Sequence, residues 1–117
     1  MMIAYKRFHA LLISTSECET FDRFAAECGS IAIDDDDMTK TMTVIKAVWD
    51  MAHNGLTIKS IAQACECSVR SIAVEYGISP RTLENWASGT NTPPAWVLPA
   101  VAYAVLSDYV EDVCATI

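Results

Sequence analysis

The stretch EYGISPRTLENWASG, residues 75–89, combines a glycine turn with clear signals for the start and the end of a short helix. Gly77 supplies the sharp turn, because a positive φ is costly for other residues. Ser79 suits the N-cap position, and Pro80 brings a preset φ to the first helical position. Gly89 then ends the helix. The stretch therefore predicts a sharp turn that leads directly into a short, well-bounded helix.

The residues around this stretch predict three further helices with a common apolar side. Thr57 can cap a helix over IKSIAQAC, and Ser68 can cap a helix over VRSIAVEY. After the rigid corner NTPP, a long last helix is predicted in PAWVLPAVAYAVLSDYVEDV. Because Pro99 lies inside it, we expect either a kink there or a start closer to Pro99. The residues predicted to face the core are Ile58, Ile61, Ala62, Cys65, Val69, Ile72, Ala73, Tyr76, Ile78, Leu83 and Trp86.

The beginning of the chain also predicts helices. Apolar residues at helical spacing indicate a first helix over residues 3–13. Ser16 and Glu19 fit the S-x-x-E capping box, in which each residue satisfies a free amide of the first turn. A second helix is therefore predicted from about Glu17 to Cys28.

A third, amphipathic helix of about fourteen residues is predicted in MTKTMTVIKAVWDMAHNG, and Asn54-Gly55 ends it. SIAI, residues 30–33, could form a short strand, but we treat it as a connector, so the sequence predicts an all-α fold. We divide it into an acidic helical region over residues 1–56, which extends the fold at its N-terminus, and a domain of four to five helices over residues 57–117.

The composition is that of a compact protein. The 117 residues are 52% hydrophobic and 20% charged, and no apolar run reaches the roughly 18 residues needed to cross a bilayer. We therefore expect a soluble, cytoplasmic protein. The five cysteines, an odd number, favour free thiols over a disulfide framework, and their spacing does not suit zinc. No arrangement of Ser, Cys and His residues suggests catalysis, so we expect no enzymatic activity, no metal and no cofactor.

The net charge of −7 is spread along the chain, so neither half has the basic surface typical of nucleic-acid binders. Its densest part is the run Asp34, Asp35, Asp36 and Asp37, for which three interpretations stay open. The run can be a solvated segment at a helix N-terminus, where the helix dipole favours carboxylates. It can also be a patch that imitates phosphates, or a divalent-cation site, although an EF-hand would alternate its ligands and need a glycine.

These residues carry a resemblance to a known family. Residues 58–106, with the signature SIAVEYGISPRTLENWASGTNTPPAW, resemble the phage-repressor-like, Xre-type helix-turn-helix domain. Ala73 stands where such domains need a small residue, Gly77 is the turn, and Trp86 with the following glycine and prolines closes the unit. The resemblance covers a little under half of the chain, and residues 1–56 do not share it.

The resemblance implies double-stranded DNA as the partner, because the second helix of such a pair enters the major groove by its N-terminal residues. The residues expected on the exposed face of that helix are Ser79, Arg81, Thr82, Asn85 and Ser88. Arg81 can pair with a guanine edge, and Asn85 can pair with an adenine. Ser68 and Arg70 are expected to hold phosphates together with helix N-terminal amides, and Lys59 to add a further phosphate contact.

Two functions from different classes fit the sequence. The first is a DNA-binding transcriptional regulator of phage or mobile-element origin, in which the apolar last helix forms a homodimer interface. The residues that could form this interface, or could equally complete the core of the monomer, are Val101, Val105, Leu106, Tyr109 and Val113. Glu84 departs from this pattern, because its carboxylate repels phosphates, and the few basic residues imply weak binding unless the chain dimerises.

The second function is an acidic inhibitor of the anti-CRISPR type. Such a protein occupies the nucleic-acid site of a CRISPR effector or another basic protein by charge imitation, and long-range attraction speeds its association. Asp34–Asp37 would form the contact patch, and the same protein could also repress its own gene.

Overall fold

The computed structural model describes residues 4–28 and 38–115, and these residues form seven α-helices and no β-strand. The helices are α1 (Tyr5–Glu17), α2 (Phe21–Cys28), α3 (Met38–Ala52), α4 (Ile58–Ala64), α5 (Val69–Tyr76), α6 (Pro80–Ser88) and α7 (Val97–Ala115). The predicted all-α fold class is confirmed. Helix α3 is the centre of the packing, since it contacts α1, α2, α4 and α7.

Helix α3 takes this place because apolar side chains cover more than one of its faces. Val44, Ile45, Val48 and Met51 are all fully buried. Burial of an aliphatic side chain of this size contributes about 1.5–3 kcal/mol, so α3 alone supplies a large share of the apolar driving force. The same cluster of buried side chains contains residues from the beginning and the end of the chain, among them Phe8, Phe24, Ile72, Leu83 and Leu106. The division at residue 56 stays a prediction, and the core continues across it.

The capping box predicted at Ser16 is wrong. Ser16 lies inside α1, where its hydroxyl donates to the carbonyl of Ile13 at 2.7 Å. Helix α2 is capped instead by Thr20, whose Oγ1 accepts from the amide of Arg23 at 3.2 Å and whose carbonyl accepts from the amide of Phe24 at 3.1 Å. The second helix therefore begins after Thr20, because the first helix continues through the predicted start.

The caps predicted for the next two helices are confirmed. The hydroxyls of Thr57 and Ser68 each accept a bond, at 3.0 Å, from the amide of the serine three residues later. The hydroxyl of that serine in turn accepts a bond from the amide of the capping residue. Helix α7 begins at Val97, so Pro99 lies in the first turn, where a missing N–H leaves no broken bond. Of the two expectations for the last helix, the start close to Pro99 is confirmed.

Candidate nucleic-acid interface

The connection between α5 and α6 fixes the direction of α6. Gly77 adopts a left-handed conformation with φ of 69°, and the amide of Ile78 donates to the carbonyl of Ala73 at 3.0 Å. This bond, from a residue after the turn to a carbonyl five residues earlier, is typical of the Schellman motif. In this motif, amides that follow the helix bond to carbonyls of its last turn. Ile78 is half-buried against the core. The chain therefore turns within three residues and starts α6 at Pro80.

Helix α6 is held by one fully buried side chain. Leu83 is buried, and α6 packs against both α4 and α5. Trp86, one turn further, is half-buried and packs against the same core. Gly89 ends the helix with φ of 80°. The buried side of α6 is thus fixed, and the opposite side faces solvent.

The solvent side of α6 carries part of the predicted DNA-binding set. Arg81, Ser79 and Ser88 are exposed, as expected from the sequence. Thr82 and Asn85 are half-buried, which corrects the expectation that both are exposed. Because an α-helix turns by about 100° per residue, Thr82 lies at the border between the buried and the solvent faces, whereas Asn85 lies on the same side as Arg81. The half-burial of Asn85 therefore does not follow from its position around the helix.

The polar groups of α6 differ in how far they are already bonded. Ser79 occupies the N-cap position, but its side chain makes no capping bond. The Ser88 hydroxyl lies 3.3 Å from the carbonyl of Asn85 and 2.9 Å from the Thr90 hydroxyl. The amide of Asn91 also donates to the carbonyl of Asn85, at 3.2 Å. These bonds involve the main-chain carbonyl of Asn85 and not its side-chain amide. The Ser88 hydroxyl, in contrast, is already hydrogen-bonded within the protein.

The predicted phosphate contacts lie at the starts of the two preceding helices. Ser68 caps α5, and its hydroxyl accepts a bond from the Ser71 amide, so its own hydrogen stays available for a phosphate oxygen. Arg70 is exposed in the first turn of α5, and Lys59 is exposed in the first turn of α4. The structure thus places these residues on helices that pack against α6, at ends where the helix dipole favours an anion.

An acidic residue, Glu84, adjoins this surface. Glu84 is exposed on α6, three residues after Arg81 and four before Ser88. Residues at these spacings are neighbours on a helix surface, so its carboxylate lowers the positive potential of the face that Arg81 presents. This surface therefore presents three basic side chains, from α4, α5 and α6, together with at least one negative charge.

A second feature, an acidic cleft of about 270 Å³ beside α5 and α7, was not predicted from the sequence. The Tyr76 hydroxyl donates to the carboxylate of Asp108, and the Tyr109 hydroxyl donates to Glu66 at 3.0 Å. Burial, followed by these hydrogen bonds, raises the pKa of both phenols, and that of Tyr109 reaches about 12. Partners 32 and 43 residues apart leave no local pattern, so the sequence offers no signal for this cleft.

The backbone at the end of α4 holds Glu66 in place. Glu66 has φ of 53°, a left-handed conformation that is uncommon for a residue with a side chain. The amide of Cys67 donates to Ala62 at 2.9 Å and the amide of Glu66 donates to Gln63 at 3.3 Å, which again is the Schellman pattern. The carboxylate of Glu66 is therefore directed to Tyr109 from a strained helix end.

The patch predicted at Asp34, Asp35, Asp36 and Asp37 lies outside the described residues. Within residues 4–28 and 38–115, no three His, Cys, Asp or Glu side chains are grouped so that they could hold a metal ion. Nor does that part of the chain contain a helix with the length and apolarity required to cross a membrane. Comparison with family models, with curated proteins and with solved structures finds no match for this chain.

Proposed function

We propose that this chain is a helix-turn-helix DNA-binding transcriptional regulator, of phage or mobile-element origin, that reads double-stranded DNA with α6. The observation that carries the proposal is the α5–α6 junction. A left-handed glycine and a buried leucine hold α6 against α5, and Arg81 stays exposed in the first turn of α6. This is the part of a recognition helix that meets base edges in the major groove.

The side chains on α6 suit different parts of a base pair. Arg81 has a planar guanidinium that donates two parallel bonds to O6 and N7 of guanine. Asn85 lies four residues later on the same side, and its side-chain amide can pair with adenine. Because Asn85 is half-buried, its reach is shorter than that of Arg81. Arg81 is therefore the principal specificity contact in this proposal.

The backbone of the duplex is held from α4 and α5. In the first turn of α5, the amides of Val69 and Arg70 have no partner within the helix, whereas the Ser71 amide is bonded to the Ser68 hydroxyl. The amides of Val69 and Arg70 can therefore bind a phosphate oxygen together with the Ser68 hydroxyl. Arg70 and Lys59 each neutralise one phosphate charge. With two such ion contacts, the logarithm of the association constant falls with the logarithm of salt concentration with a slope of about −1.8 for each protomer.

A single protomer with so few basic contacts binds DNA weakly, so two protomers on paired half-sites are expected. Val105 and Leu106 of α7 are buried in the protein's own core. For these two residues the structure favours the alternative in which the last helix completes the monomer. A homodimer stays part of the proposal, and its interface must use other residues.

The test is selection of bound duplexes from a pool of random sequence, with the full chain as bait. Groove reading by α6 predicts enrichment of a defined motif. Binding of the enriched duplex is then measured by fluorescence anisotropy over a series of salt concentrations. Arg70→Ala should reduce the steepness of the salt dependence by about 0.9. The control is Arg23→Ala, which also removes one positive charge but lies on α2, in an ion pair with Glu27. A pool that stays random after selection would refute the proposal.

A further inference from the structure

A second surface of the protein lies away from α6, between α3, the end of α4 and the end of α7. It is an open groove of about 670 Å³. We call it the α3–α7 groove and define it by its apolar lining: Met38, Met42, Ala47, Ala64, Tyr109 and Val113. Met38 is 71% exposed and Met42 is 43% exposed, so both residues are accessible to a partner. Methionine is flexible and polarisable, and it adapts to different apolar partners.

The shape of this groove suits a helix. One wall is formed by residues 38, 42 and 46 of α3, and the other by residues 109 and 113 of α7. Both rows have the four-residue spacing of ridges on a helix surface. Side chains of a third helix at i, i+3, i+4 and i+7 fit between two such rows.

The charges around the α3–α7 groove are strongly unbalanced. The groove joins the acidic cleft, because Glu66 and Tyr109 line both. Among the described residues that line this combined surface, Lys46 is the one with a positive charge, and it is already paired with Asp50 at 2.8 Å. The acidic residues that line the same combined surface are Asp50, Glu66, Glu75, Asp108 and Asp112.

We propose that the α3–α7 groove binds an amphipathic helix of a partner protein, with Leu, Met or Phe on its apolar face and Lys or Arg along its flank. The apolar residues would pack between Met42 and Val113, and the basic residues would lie toward Glu66 and Asp112. Charge complementarity selects this occupant. A second copy of the chain, with a net charge of −7, would place like charges together, and a nucleic acid would be repelled by the same carboxylates.

This surface is independent of the proposed DNA contact. It uses α3, α4 and α7, whereas the DNA contact uses α6 and the starts of α4 and α5. Failure of one proposal therefore leaves the other standing. If both hold, a regulator bound to DNA would still present the groove to another protein.

The test uses the full chain as bait for a displayed library of helical peptides with an apolar i, i+3, i+4, i+7 face. Two versions of the library carry either Lys and Arg or only Glu on the flank. Enrichment from the basic version alone is expected. Enrichment from neither version, or from the acidic version, would overturn the proposal.

The best basic peptide is then titrated against the wild-type chain and two variants. Met42→Glu should weaken binding by about tenfold or more, because it buries an unpaired charge in the contact. The matched control is Ile13→Glu, since Ile13 is 50% exposed on α1 and outside the groove. Circular dichroism verifies that both variants are folded. Equal affinity for both variants would overturn the proposal.

Two further measurements locate the contact and identify its occupant. Glu66→Gln keeps a hydrogen-bond acceptor for Tyr109 but removes the negative charge. It should therefore lower the affinity for the basic peptide and reduce the salt dependence of binding. Amide shifts of the labelled chain should change in α3 and the end of α7. Changes confined to α5 and α6, or sedimentation that shows the groove closed by a second copy of the chain, would contradict a basic helix as the occupant.

Discussion

Replacement of Gly77 by alanine tests the joint on which the position of α6 depends. Gly77 has φ of 69°, and a methyl group built there meets no atom within 4 Å. The cost is therefore that of the backbone alone, about 1–2 kcal/mol for a residue with a Cβ in the left-handed region. For a chain of this length, 1 kcal/mol corresponds to roughly 4 °C in Tm, so we expect Tm to fall by roughly 4–8 °C.

The assay is thermal and chemical denaturation followed by circular dichroism. Gly77→Asn is the matched control, because asparagine tolerates the left-handed conformation better than alanine. It should lose clearly less stability than Gly77→Ala. If alanine left the free energy of unfolding unchanged, or if asparagine cost as much as alanine, the left-handed turn between α5 and α6 would be refuted.

Three further predictions concern the acidic cleft and its surroundings. Glu66→Gly should be more stable than Glu66→Ala by about 1 kcal/mol in denaturation experiments, because only the alanine keeps the left-handed strain, and the reverse order would contradict φ of 53°. The pKa of Tyr109 is raised to about 12, above the value of about 10 in unfolded chains, so its contribution to stability is present below pH 10 and is lost as pH rises to 12. Tyr109→Phe should make the measured fall in stability over this range smaller, and an unchanged fall would argue against the bond to Glu66. Burial raises the pKa of both Cys65, to about 12, and Cys67, but only Cys67 is exposed, so a thiol reagent should modify Cys67 before Cys65 in the native protein, and equal rates would contradict the burial of Cys65.

The features of the fold that could be predicted are those determined by residues close together in the sequence. Thr57 and Ser68 cap helices through residues three positions away, so their signals are contained in the sequence itself. Gly77 and Gly89 adopt the left-handed conformations expected of them, and Pro80 starts α6. Each of these features depends on a few neighbouring residues, which is why helices α4, α5 and α6 begin and end close to the predicted positions.

The rest depends on contacts between distant parts of the chain. The bonds from Tyr76 to Asp108 and from Tyr109 to Glu66 join residues that only the packing of α7 brings together. The half-burial of Asn85 likewise depends on how α6 lies on its neighbours. The S-x-x-E pattern at Ser16 shows the opposite problem, since a local signal was present but α1 continued through it.

The most direct measurement of groove reading by α6 is a double-mutant cycle between Arg81 and the bases of the selected duplex. Dissociation constants are measured for the wild-type chain and Arg81→Ala, each with the selected duplex and with duplexes changed at one base pair. Pairing of Arg81 with a guanine predicts a loss of about 1–3 kcal/mol in Arg81→Ala, and indifference of that variant to the base at one position. Equal losses on every duplex, or no loss at all, would contradict base reading by Arg81.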